Sequence, residues 1–301
     1  MSIFQNRRSG WLWLLWLAAW PATAAEFVGS AACRDCHQAE YQAWQGSHHD
    51  QAMAEAGPDT VLGDFSGVEF SAHGVTSRFY RRDGGYFVRT DGPDGELHDY
   101  AIRYTFGWYP LQQYLLPLAD GRLQALSVSW DSRRAEEGGQ RWYHLYQDEA
   151  VDHEDPLHWT GPYQNWNTRC AECHSTDVRK RYDQSTRSFS TTYEAIDVGC
   201  EACHGPGSLH VEWAEIPDIG RPAAGDYRLV KQTSGITPRE HVELCAPCHS
   251  RRASLADLEH TEDDFMDTFL PSLLEEGLYF ADGQILDEVY VYGSFTQSKM
   301  F

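Results

Sequence analysis

The 301-residue sequence is poor in cations relative to anions. It has 24 Lys and Arg against 45 Asp and Glu, a formal net charge of −21. That balance excludes a nucleic-acid backbone as partner. Beyond the first twenty residues there is no long apolar run, so no membrane span is expected after signal cleavage. Methionine is scarce: there are four, and one is Met1. Cysteine is confined to one repeated pattern. All eight Cys fall in four Cys-x-x-Cys-His pentapeptides, at Cys33–His37, Cys170–His174, Cys200–His204 and Cys245–His249.

For this composition, chance predicts on the order of 0.01 such matches. Two thiols three positions apart, followed directly by His, form the attachment pattern of c-type haem. The thiols add to the haem vinyl groups and the His becomes the proximal iron ligand. Four sites imply four covalently bound haem c groups. Cys33, Cys36, Cys170, Cys173, Cys200, Cys203, Cys245 and Cys248 are the attachment residues, and His37, His174, His204 and His249 the proximal ligands. Paired Cys-x-x-Cys units also build zinc sites, and such a pair can close as a disulfide. Neither accounts for a His after every pair.

The N-terminus carries Arg7 and Arg8, an apolar stretch from Trp11 to Trp20, and Ala22-Thr23-Ala24. This is the pattern of an export signal with its cleavage site, assigned to residues 1–25. A periplasmic or otherwise exported protein is expected, which agrees with the chemistry of c-type haem.

Residues 26–58 hold the first haem segment. His37, Tyr41, Trp44 and His48 recur at helical spacing until Gly57-Pro58. Residues 59–147 contain no such motif and read as an inserted antiparallel β region. Val75 to Arg82 and Tyr86 to Thr90 flank an Asp83-Gly84-Gly85 turn, and Leu97 to Phe106, Leu123 to Trp130 and Arg141 to Tyr146 are further strands. Residues 148–260 form a three-haem segment, with an irregular stretch from Pro206 to Pro238. In residues 261–301 a helix is expected at Ser272 to Glu276, and Asp287 to Phe295 as strand or helix. The chain stops within ordered-looking sequence, so a fragment is expected. The expected fold class is α+β, with short helices and loops around the haems and an inserted antiparallel sheet region.

Ten His lie outside the motifs, a surplus over the open coordination positions, so a second His ligand is expected at most irons. His48 or His49 would serve a haem other than its own unless Gly46 breaks the helix, because eleven helical residues rise about 16 Å. His210 follows His204 past Gly205-Pro206-Gly207, His158 precedes Cys170 by twelve residues, and His144 sits in a strand that could point it inward.

Several stretches together resemble the multihaem cytochromes c of the c-552/c-554 type, especially exported members whose haem motifs precede tetratricopeptide repeats. They are Val28-Gly29-Ser30 with Cys33–His37; Trp44-x-x-Ser47-x-His49; Pro110 to Leu115; Gly138 to Trp142 with His144-Leu145-Tyr146; His158 to Gly161; Gln164 to Asn167; Gly199 to Pro206 with Ser208-x-His210; Cys245 to Arg252; and Asp282-Gly283-Gln284 with Gly293-Ser294-Phe295. The resemblance favours His49 over His48 as a distal ligand. It supports His158, His210 and His144 as functional positions. It also implies a further haem motif and repeats beyond Phe295.

Electron transfer between redox partner proteins is the function this pattern favours over catalysis, and no catalytic residue is assigned. The alternative is a reductase of a small nitrogen or sulfur compound at a haem with an open position, for which Arg169 and Arg251-Arg252 would bind the anion. Pairing with haem propionates is the simpler use of those Arg. A third reading is a docking module built on the aromatic stretch 100–146.

Overall fold

In a computed structural model of the chain, residues 24–256, 264–272, 274–286 and 290–301 are described. The expected export signal and His260 lie outside them, apart from Ala24 and Ala25. The class is α+β. Two short helices come first, α1 (Ser30–Cys33) and α2 (Gln38–Trp44). A six-stranded antiparallel sheet then starts with β1 (Met53–Glu55). Between β1 and the rest of that sheet runs a four-stranded meander, β2 (Ser66–Ala72), β3 (Val75–Arg82), β4 (Gly85–Asp91) and β5 (Leu97–Ala101). The first sheet is completed by β6 (Tyr104–Phe106), β7 (Leu111–Pro117), β8 (Leu123–Ala125), β9 (Val128–Asp131) and β10 (Arg141–His144). Its order is β1-β6-β7-β9-β10, with β8 paired to β7.

The sheets are held together by aromatic side chains. Phe65 meets Phe79, Tyr86, Tyr114 and Trp142 edge-on at 5.1–5.7 Å, and Phe79 stacks on Trp142 at 3.6 Å. Phe79 and Tyr86 come from the meander, Tyr114 and Trp142 from the larger sheet. In β4, Tyr86, Val88 and Thr90 alternate inward, the period of a strand with one face in the core. Gly63 lets this packing close: a Cβ there would stand 2.6 Å from Tyr114 Oη and 2.7 Å from Trp142.

The stretch read as one strand from Leu97 to Phe106 is two. The chain leaves the meander at Ala101 and joins the larger sheet at Tyr104, with Ile102 buried between. The Pro110-to-Leu115 motif runs into β7, which the sequence pattern does not announce as a strand. Gln112 is fully buried there and donates to Thr60 O and Gly107 O.

After the β region come α3 (Trp166–Arg169), α4 (Ala171–His174), the hairpin β11 (Tyr182–Asp183) with β12 (Ser188–Phe189), α5 (Cys200–His204), α6 (Ser208–Ala214) and α7 (Pro238–His249). The stretch expected to be irregular thus contains α6. Helix α7 starts on a capping box, Thr237 with Glu240, and has Pro238 in its first turn, where a missing N–H costs nothing. Then β13 (Arg252–Ser254) pairs with β14 (Phe269–Pro271), beside α8 (Phe265–Thr268), and α9 (Val291–Thr296) follows. The helix expected at Ser272 to Glu276 is not formed: Leu274 and Glu275 are coil and Glu276 bridges to Tyr279. Among the described residues no helix is long and apolar enough to cross a membrane.

Candidate haem-binding site

Each Cys-x-x-Cys-His motif occupies about one helical turn. In all of them the backbone N–H of the His, or of the residue just after it, bonds back toward the first Cys, as in His37 to Cys33 O at 2.9 Å and His174 to Cys170 O at 3.2 Å. Positions i, i+3 and i+4 of a turn share one face, so both thiols and the imidazole project together. None of the eight Cys is in a disulfide.

The motifs are joined in pairs by acids within the pentapeptides, one buried and one half-buried. Glu201, in the third motif, is only 3% exposed. Its carboxylate accepts the backbone N–H groups of Val28 (2.9 Å), Gly29 (2.7 Å) and Gly207 (2.8 Å). Ser30 Oγ accepts the Cys200 N–H at 3.0 Å. The entry to the first motif is thereby fastened to the third. Glu172, in the second motif, accepts from Arg252 at 2.8 Å, and Arg252 lies three residues beyond the fourth motif. The Arg252 side chain is 8% exposed, donates to Pro247 O and lies over the Phe269 ring at 3.8 Å. It is therefore spent on joining the second motif to the fourth, which overturns the expectation that it receives an anion or a propionate. Arg169 lies over the Tyr163 ring instead. An acid inside a haem motif is the sequence signal that could have located both joints.

The thiols follow the same pairing. Cys33 lies close enough to Cys200, and Cys173 to Cys248, for each thiol to perturb the other. Cys203 and Cys245 are close enough to influence each other electrostatically. The motifs therefore adjoin in the order first, third, fourth, second.

A seam of buried amides positions the second motif against the β region. Asn165 caps α3, accepting the Thr168 N–H at 3.1 Å and donating to Gln124. Gln124 donates to Trp159 O and Gly161 O, both at 2.9 Å. Asn167 accepts from Leu123 N and donates to Thr191. Trp166, fully buried, donates to Met53 Sδ.

Helix α2 ends at Trp44, and Gly46 turns the chain at φ +71°. The helical stripe from His37 to His48 is thus broken. His49 is carried to His249, with ring centroids 6.1 Å apart. His210 reaches His37, also at 6.1 Å. Two imidazoles on opposite sides of one metal atom, with bonds of about 2.0 Å, set their centroids about 6.2 Å apart. Both pairs join a motif His to one outside the motifs. Second bonds orient the rings: Nδ1 of His210 lies 2.7 Å from Tyr227 O, and Nδ1 of His204 lies 3.2 Å from Lys231 O. Such bonds leave Nε2 for a metal.

Beside the second and fourth motifs opens a cleft of about 1310 Å³, lined by Cys170, Cys173, His174, Cys203, Cys245, Cys248, His249 and His49. It exceeds the roughly 300–1,000 Å³ of an ordinary ligand pocket. Burial, with His249 and His49 nearby, pushes the His174 imidazole down to about 4, and burial with His249 and His48 nearby lowers His49. His174 Nδ1 is buried without a hydrogen-bond partner and packs edge-on against Phe106. The donor set, the spacings and this cleft fit haem c.

His144 and His158 go elsewhere. His158 is buried, with Nε2 at 3.2 Å from Asp91 and Nδ1 at 2.8 Å from Thr160 Oγ1. His144 Nδ1 lies 3.2 Å from His73 Nε2. Both line a small cavity of the β region that contains no residue of the four motifs. His158 is engaged through both ring nitrogens and His144 through Nδ1, and neither lines the large cleft beside the motifs.

The family model for cytochrome c554 and c-prime matches residues 32–63 and 133–205. Over these residues the chain is similar to the multihaem cytochromes c of the c554 type. The matched residues carry the first three motifs, and the unmatched stretch between them holds β2 to β9. That family and the four Cys-x-x-Cys-His motifs together imply covalently bound haem c. The chain's fold is that of the outer cell wall cytochrome OcwA, with a TM-score of 0.54 and 18% identity over 85% of this chain. The chain spans about half of that protein, 47% of its length. No curated protein matches the sequence.

Proposed function

We propose that this cytochrome is a periplasmic four-haem electron carrier, with His37 and His210 on one iron and His249 and His49 on another. The observation that carries the reading is the two imidazole pairs at 6.1 Å. Haem c supplies one-electron uptake and release at iron, and His on both faces favours a low-potential carrier over a site for chemistry. Cys33, Cys36, Cys170, Cys173, Cys200, Cys203, Cys245 and Cys248 hold the four groups, and His174 and His204 are the other two proximal ligands. The adjacency of the motifs supports a relay with its ends at the first and second motifs. Glu201 and Glu172 hold the spacing within that relay. The net charge of −21 suits a redox partner with a basic docking face.

Replacing His49 or His210 by Ala tests this. Each variant is expected to keep four covalent haems and to convert one haem equivalent from low to high spin. An unchanged spectrum in both would reject the assigned pairs. A second reading, reduction of a small nitrogen or sulfur compound, draws on the environment of His174, where Phe106 rather than an imidazole is the ring neighbour outside the motifs. A high-spin signal in the native protein that shifts with nitrite, hydroxylamine or a sulfur oxyanion would favour it.

A further inference from the structure

The small cavity of the β region has a chemistry that electron transfer does not use. Four donor-bearing segments converge on it: His73 at the β2–β3 turn, Asp91 at the end of β4, His144 at the end of β10, and His158 in the following loop. The donors stand as two pairs, His73 Nε2 with His144 Nδ1 and His158 Nε2 with Asp91 Oδ2, each at 3.2 Å. That is long for a hydrogen bond, whose usual N–H···O length is about 2.9–3.0 Å. It is close to the roughly 3.3 Å between neighbouring ligands in a tetrahedral site with bonds of about 2.0 Å. Ser127, 3% exposed, lines the same cavity, and its Oγ is buried with no hydrogen-bond partner.

We propose that His73, His144, His158 and Asp91 bind one first-row transition-metal dication of the zinc type. The volume decides the class of ligand. At about 30 Å³ the cavity holds an ion and at most a water, not an organic molecule. The donors decide the kind of ion, since imidazole selects zinc, copper, iron or nickel over calcium and magnesium. Thr160 Oγ1 on His158 Nδ1 and Thr90 Oγ1 on Asp91 Oδ1 are the supporting bonds that orient such ligands.

Among the described residues no three donors are already drawn together as a cage. Binding therefore requires the pairs to close on each other. His73 is exposed and can swing inward, and the His144 ring must give up the Tyr146 N–H that its Nδ1 now accepts at 3.1 Å. The turn supports this use of His73. Both of its residues, His73 (φ +49°) and Gly74 (φ +81°), have positive φ, a conformation that favours Asn or Asp in the first place. Four protein ligands make the site structural, a clip fastening the hairpin tip to β10, β4 and the loop before the second motif.

The haem-loaded protein, treated with a chelator, is titrated with Zn²⁺ alone. One zinc per chain beyond haem iron is expected by elemental analysis. His73→Ala, at an exposed position, should weaken binding at least about tenfold, as should His144→Gln, while His98→Ala, on the surface beside Asp94, should not. A zinc-edge anomalous peak is expected among the four residues. Failure to bind stoichiometrically, equal affinity in the His73 variant and the native protein, or a peak elsewhere would overturn the site. None of these outcomes depends on the haem ligand assignments.

Discussion

Within the β strands Phe79, Val88, Tyr114, Leu115 and Leu116 are completely buried, whereas helices α1, α2, α6 and α9 bury no residue at all. The first region excludes water with its own side chains, each buried aromatic or aliphatic group contributing about 1.5–3 kcal/mol. The second surrounds a cleft of about 1310 Å³ with thiols, imidazoles and a few hydrophobic groups such as Ala246, Phe265 and Phe269. Its own bonds at the joints are polar: Glu201 on three backbone N–H groups and Glu172 on Arg252. A region that leaves its interior to a cofactor uses charge-assisted bonds to hold the walls at the right spacing, because there is little apolar contact to do it.

The largest break in this comparison should come from replacing Cys170 and Cys173 together by Ala. The haem-motif region is expected to lose protection from hydrogen exchange around residues 166–205, while Met53 to His144 keeps it. Equal loss in both regions would show that the β region depends on the haems. Next, Phe65→Ala should cost about 3–5 kcal/mol in denaturant unfolding of the β region, from the cavity left among four aromatic neighbours. The haem spectrum should not move. Glu201→Ala should cost about 2–4 kcal/mol by stripping buried N–H groups of their acceptor, and it should loosen residues 26–37 in particular. Glu201→Gln should recover part of this.

The smallest effect concerns Asp197, which lies three residues before the third motif. Burial first, and Asp50 second, push its carboxyl up from 3.8 to about 6. The folded state thus binds this proton more tightly than the unfolded one. Its contribution to stability is full below about pH 4 and is lost as pH rises through about 6. Asp197→Asn should flatten that slope and stabilise the protein at pH 7 by about 1 kcal/mol, a figure reduced for partial solvent screening. Melting curves from pH 4 to 7 would check it.

Strands were legible where the alternation of side chains and the turn chemistry agreed. Val75 to Arg82 and the strand after Asp83-Gly84-Gly85 form as read. β7 was not legible as a strand: Gln112, buried, and Gln113, half-buried, are held by amide bonds to Thr60, Gly107 and Leu126, partners far from them in sequence or across a turn. Of the distal candidates, His49 and His210 meet motif imidazoles, while His144 and His158 join Asp91 and His73. A histidine between aromatic residues looks the same in sequence whether it faces a haem or a polar pocket inside a sheet. Likewise Arg252 read as a partner for a haem propionate or an anion, because nothing near it in the chain announces Glu172.

The sequence by itself determined the cofactor chemistry and the α+β class. Both rest on local rules: two thiols and an imidazole within one helical turn, and side chains alternating along a strand. Only the tertiary structure decided which motifs adjoin and which histidines face them. Those choices join residues far apart in the chain through the break at Gly46, the seam around Asn165 and the acids Glu201 and Glu172. The physical reason is that a bond between distant residues depends on the packing of everything between them, and no short pattern encodes it.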